Sequence, residues 1–180
     1  MRPALVLLSL FALVLSATAE QNPDIRIYLD ADPPNGIHEI DPAPSTVFDV
    51  YVCLDSFGSG GGTRGTAFLF IRNFQAFKLG QTNLLGGLDF GDVEVDGWTA
   101  AAGADCVMPD PHGIVVVGRV EYLFVDGTGT VTIVPHPGTG RAVLDCDFLE
   151  DDQYDIGPSL VVGSNPVERV SWGAVKALYR

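Results

Sequence analysis

Apolar positions along the chain form two kinds of run, one unbroken and one alternating. The unbroken run is at the front. Ala4 to Leu15 is almost wholly apolar, led by Arg2 and followed by Ser16-Ala17-Thr18-Ala19. About twelve apolar residues are too few to cross a bilayer, which takes roughly 20. A buried helix of the fold would carry a polar face, and this stretch has none. One positive charge, a short apolar stretch and a small-residue exit predict a secretory signal peptide over residues 1–19, cleaved before Glu20. With no cysteine at the cut, a lipoprotein anchor is not expected.

From Ile25 onward the period is two. Ile25, Ile27 and Leu29 alternate with Arg26, Tyr28 and Asp30. In Thr46–Leu54, the positions Phe48, Val50, Val52 and Leu54 share one face, and Val47, Asp49, Tyr51 and Cys53 the other. Thr66–Phe74 places Phe68, Phe70 and Phe74 in phase. Val93–Trp98, the long β-branched run Ile114–Val125, Thr130–Pro135, Arg141–Phe148 and Ser159–Val162 complete about eight predicted strands. Turn clusters separate them, among them Asp32-Pro33-Pro34-Asn35-Gly36 and Asp126-Gly127, a hairpin signal before Thr130–Pro135. No helical period alternates with these strands, which argues against a parallel α/β sheet. The pattern predicts one all-β domain over residues 20–165 and a tail over 166–180. Ser171–Arg180 is a candidate short helix, with Ser171 as cap and Trp172, Val175 and Tyr179 at helical spacing; a final strand is the alternative.

Charge narrows the partners. The chain has 23 acidic and 10 basic residues, a formal charge of −13. A field of that sign repels nucleic acid and anionic membrane, so neither is an expected partner. No later apolar run is long enough to span a membrane, so no insertion of the mature chain is expected. A secreted, extracellular or periplasmic location follows from the leader.

That location is oxidising, so one disulfide is expected among Cys53, Cys106 and Cys146. Three pairings exist. Cys146 shares a face with Ala142, Leu144 and Phe148, read as the core side, and Cys106 lies in a loop-like segment able to fold over it. Cys53 is on the polar face of its strand. The expected bond is Cys106–Cys146, with Cys53 a free thiol or paired between chains.

Candidate chemistry is sparse. Gly60-Gly61-Gly62-Thr63-Arg64-Gly65 matches the dinucleotide glycine spacing but opens a strand, not a helix, and reads as a mobile loop. His38, His112 and His136 all sit in Pro/Gly turns without metal-ligand spacing. No serine sits in a nucleophile elbow. Two acidic clusters supply the oxygens calcium takes: Asp30, Asp32, Asn35 and Asp41, and then Asp145, Asp147, Glu150, Asp151, Asp152 and Asp155. Neither has a known register, because Pro33-Pro34 displaces Asn35 in the first. Solvated loop acids are the plainer reading, and no cofactor is expected unless calcium. Tyr51 and Trp98, with Tyr122 and Trp172, are candidates for stacking a carbohydrate, against the commoner role of core aromatics.

The order of strand Ile25–Asp30, strand Val47–Leu54, a Gly-rich crossover, long strand Ile114–Val125 and strand Thr130–Pro135 resembles the immunoglobulin-like sandwiches of exported bacterial proteins, the cohesin-like type in particular. The resemblance spans roughly residues 24–163. It implies an antiparallel β-sandwich with an extracellular binding or assembly role and no catalysis. Cys106 and Cys146 depart from the family, and the chain carries no dockerin module. The expectation is a non-enzymatic exported sandwich in surface structure, adhesion or assembly. The alternatives are a carbohydrate- or calcium-dependent binding module, then a secreted hydrolase.

Overall fold

A computed structural model describes residues 24–58, 61–147, 150–151 and 154–163. The leader 1–19, Asp152 and the helix candidate 171–180 lie outside the described residues. Among the described residues thirteen strands follow one another: β1 (Arg26–Asp30), β2 (Glu39–Ile40), β3 (Val47–Asp55), β4 (Gly65–Arg72), β5 (Gln75–Asn83), β6 (Gly86–Phe90), β7 (Trp98–Ala102), β8 (Val115–Asp126), β9 (Gly129–Pro135), β10 (Ala142–Leu144), β11 (Glu150–Asp151), β12 (Asp155–Ile156) and β13 (Leu160–Val162).

They form two stacked sheets. The first runs β12-β1-β3-β8-β5. In the second, β4 is the hub. One edge of β4 takes β7, which pairs onward to β6. The other edge takes β9 along its C-terminal half and β10 along its N-terminal half. Beyond β9 lie β13 and β2. Residues 136–141 interrupt what is otherwise one long strand against β4, closing on themselves through paired His136 and Gly140 backbone bonds. Most pairings are antiparallel, with parallel additions at two edges, β1 with β12 and β13 with β2.

Period two accounts for the core. Ile27, Leu29, Val50, Val52, Leu54, Val115, Val117, Val120, Tyr122 and Phe124 face inward from the first sheet, and Phe68, Phe70, Trp98, Ala100, Val131, Ile133, Val143, Leu160 and Val162 from the second. Trp98 spans the layers. Its ring meets Phe68 edge-on and lies where a Gly118 side chain would begin, 2.4 Å from that glycine's ideal Cβ position.

Four local expectations are corrected. Val93–Trp98 is a turn that leads into β7. Asp92 O accepts the N–H groups of Val95, Asp96 and Gly97, and its Oδ1 accepts that of Glu94, so local bonds displace the ladder. Asp126-Gly127 joins β8 to β9 across the two sheets and is not a hairpin, because β9 pairs with β4 and β13. The run Thr66–Phe74 breaks at Asn73, and the chain changes sheets into β5, an edge strand that leaves the apolar Phe77 and Leu79 on its exposed phase. At β10 the phase is reversed. Val143 and Asp145 are buried, while Ala142 and Leu144 face outward, since Val143 is paired with the buried Thr66.

Candidate functional site

The first acidic cluster does not assemble, and of the second only Asp145, Asp147 and Asp155 have described side chains. Asp30 is fully buried, and its carboxylate is consumed by its own loop. Oδ1 accepts the N–H groups of Asp32 and Ile37, and Oδ2 that of Gly36, each at 2.9 Å. Asp32 Oδ2 accepts from the Asn35 amide at 2.9 Å, and Asp41 is exposed beside a different groove lined by Pro42, Val47 and Phe48. The first cluster is therefore a folded turn in which Asp30 accepts from backbone donors and Asp32 from the Asn35 side-chain amide, with Asp41 apart from both. In the second, Asp145 is buried and accepts from Asp147 N at 2.9 Å, while Asp147 is exposed. Asp151 is on β11. Among the described residues no three His, Cys, Asp or Glu side chains converge as a metal ion requires.

Nor do the described stacking candidates, Tyr51, Trp98 and Tyr122, share one face; Trp172 lies outside the described residues. Trp98 is fully buried between the sheets, which removes it as a platform for a surface ligand. Tyr122 is equally buried. Its hydroxyl donates to Glu94 at 2.9 Å, and burial first, then the Glu94 charge, pushes its pKa above the usual phenol range. Tyr51 is half-buried on the outer face of β3 near Asp49. Two of the three histidines use Nδ1 in backbone hydrogen bonds. His38 donates from Nδ1 to Leu29 O, His136 accepts from the N–H groups of Gly138 and Thr139, and the backbone of His112 bonds to Asp110.

Cys106 and Cys146 are bonded, tying the 103–114 connection to the segment after β10. Cys53 is a buried free thiol. Burial, and after it the charge of Asp30, pushes its pKa up to about 12. The glycine stretch is packed where it is described. Gly61 and Gly62 are buried, and a side chain at Gly62 would strike Val107 O at 2.8 Å, so glycine there permits close approach.

What the structure does assemble is a face. On the outer side of the second sheet, register places Thr99 and Ala101 of β7 beside Ala67 and Gly65 of β4, with Ala142 and Leu144 of β10 on the other flank. Further along, Leu69 lies opposite Val134, and Ile71 opposite Thr132. Across β4, β7, β9 and β10 no outward position carries a charge; Glu39, on β2, marks the far edge. Thr139, from the 136–141 excursion, helps wall an apolar groove of about 140 Å³ over Ala67 and Ala101. Ile71 is 55% exposed and Phe90, at the β6 rim, 61%. The outer face of the first sheet is different in kind. It presents Arg26, Asp55, Asp49, Arg119 and Glu121, with ion pairs between Arg26 and Asp55 and between Arg119 and Asp49. An uncharged face on so acidic a chain is the surface that loses least when water is removed from it. Its signal was present in the sequence. Thr66–Phe74 is apolar at Ala67, Leu69 and Ile71 as well as at its core positions, so both faces of that strand avoid charge.

No protein-family model matches the chain, and no curated protein matches it in sequence. Solved structures do. A cohesin module of a family 33 glycoside hydrolase from Clostridium perfringens superposes with a TM-score of 0.57 at 9% identity, covering 79% of this chain and 99% of the module. The sixth cohesin of scaffoldin B from Acetivibrio cellulolyticus, in complex with a Cel5 dockerin, gives 0.56 at 11% identity, over 79% of this chain and 99% of that one. A type I cohesin–dockerin complex from Clostridium thermocellum gives 0.55 at 11%, over 77% and 97%. The chain has the cohesin-like β-sandwich fold.

Proposed function

We propose that this protein is an exported, non-catalytic binding module that docks a partner protein on the uncharged outer face of β4, β7, β9 and β10. The observation that carries the reading is the absence of charge from that face in a chain of net charge −13. Apolar and threonine side chains on a rigid sheet give an interface core that needs no desolvated ion. Two of the solved neighbours are cohesins in complex with dockerins, which supports a protein as the partner class. The leader over 1–19 and the Cys106–Cys146 bond support an extracellular setting. His38 and His136, whose Nδ1 atoms are committed to backbone groups, support a role without nucleophilic chemistry.

A panel of purified dockerin modules and the secreted proteins of the source culture are the probes. A captured partner is expected to lose at least tenfold in affinity to Ile71→Asp and to Val134→Asp, while Asp49→Ser on the opposite sheet leaves affinity unchanged. Ile71 is exposed, so Ile71→Asp leaves the thermal midpoint within a few degrees of the parent. A partner bound equally well by parent and both variants would overturn the assignment of the face.

A further inference from the structure

The first sheet carries a second unexplained surface. Phe77 of β5, Leu123 of β8 and Val47 of β3 lie in one cross-strand row on its outer side. Val125 extends the row along β8, and Leu79 along β5. Phe77 is 65% exposed, Val47 54% and Leu79 52%. Successive strands are about 4.8 Å apart, so the strip is roughly 10 Å across. Acids lie around it. Asp49 and Glu121 are direct cross-strand partners, like charges that oppose each other, and Arg119 reaches Asp49 at 3.4 Å. Asp126 stands at the other end, beyond Val125.

The described chain ends at the crossing that follows β8, two residues beyond the end of this strip. Gly163 donates to Ile40 O, and its α-carbon sits so near Gly127 that a side chain there would lie 2.5 Å from Gly127 O. Gly127 is two residues past Val125. Residues 164–180 follow. They hold Val167, Val170, Trp172, Val175, Leu178 and Tyr179, with three of the chain's ten basic residues, Arg169, Lys176 and Arg180, and one acid, Glu168. A segment of that length reaches up to about 55 Å extended, far more than the strip requires. Its charge is opposite to that of the strip's surroundings.

We infer that residues 164–180 dock within the same molecule on the Phe77–Leu123–Val47 strip, with apolar side chains against the row and basic ones toward Asp49, Glu121 and Asp126. The reading is independent of the proposed partner face, which lies on the other sheet.

Trp98 and Trp172 are the two tryptophans, and Trp98 is fully buried, so acrylamide quenching in the full chain reports on Trp172. Docking predicts a quenching constant for Trp172 at least threefold below that of a synthetic 164–180 peptide, independent of protein concentration. Phe77→Ser, or Leu79→Ser should the first variant fold poorly, is expected to raise it to the peptide value with the far-ultraviolet spectrum unchanged. Quenching in the parent equal to that of the peptide would overturn the proposal. So would protection that survives both variants, or protection that is lost on dilution together with a fall in mass, which would assign the strip to a second copy.

Discussion

Asp30 and Cys53 lie on neighbouring strands, both on the outer side of the first sheet and both sealed from water. Their burial has different causes. Asp30 is held because three backbone N–H groups of the 30–37 loop point at it. Asp30→Ala leaves those donors without an acceptor and is expected to cost about 3 kcal/mol, read from urea melts. Asp30→Asn, which keeps one acceptor oxygen, is expected to cost less. Cys53 is held under Tyr28, its partner in register. With its pKa pushed up to about 12, first by burial and then by the charge of Asp30, it has almost no thiolate at neutral pH. Iodoacetamide is expected to leave it unmodified in the native protein and to label it at once in urea; native labelling within minutes would contradict the burial. Trp98 teaches a related point. As a tryptophan in an acidic β protein it suggests a ligand platform, yet its ring fills the space above Gly118.

At the scale of elements, turns and ties matter more than strand propensity. The 91–97 turn is clasped to both sheets. Arg72 Nε donates to Glu94 Oε1 at 2.7 Å, Tyr122 donates to the same oxygen, and Lys78 donates to Asp92. For Asp92, burial raises the pKa, but the Lys78 hydrogen bond and backbone donors outweigh it and hold the carboxyl below its ordinary value. A carboxyl with a depressed folded pKa contributes stability above its unfolded pKa of about 3.9, and that contribution is lost as pH falls through the folded value. Acid unfolding below about pH 4 is therefore expected to be less steep in Asp92→Asn. The effect is small, because the side chain is 41% exposed and its ion pair is screened by solvent. The Cys106–Cys146 bond closes a loop with a sequence separation of 40. Replacing both cysteines by serine is expected to cost about 2–4 kcal/mol, visible as a lower urea midpoint.

In the whole molecule the two sheets offer water two unlike faces. One is uncharged across four strands; the other mixes ion pairs with an apolar strip. If the faces serve different occupants, their variants separate. Ile71→Asp is expected to weaken partner binding at least tenfold and leave Trp172 protected, and Phe77→Ser to expose Trp172 and leave partner binding intact. Loss of both properties in either variant would mean one coupled surface. Much of this architecture was legible in the chain. β1, β3, β8 and β9 follow from alternation, because each has one face in the core. β5 and β6 were not legible, because β5 turns its apolar Phe77 and Leu79 outward and keeps Lys78 on the half-buried phase, while β6 is exposed at every position. The uncharged face was half-visible, in the second apolar phase of β4, but its flanking strands come from residues 98–102, 129–135 and 142–144, and only pairing brings them beside β4.

The sequence by itself determined the class of fold, the alternating core and the excess of acid, since each depends on residue type and spacing along one strand. It also predicted an export leader. Tertiary structure decided the rest. Whether Asp126-Gly127 turns within a sheet or crosses between sheets depends on which strands β9 meets, a long-range choice invisible to local turn chemistry. Whether an aspartate binds an ion or its own backbone depends on where the loop folds. Whether a strand's outer residues form a charge-free plane depends on neighbours far away in sequence, because a sheet is assembled from segments that only the fold makes adjacent.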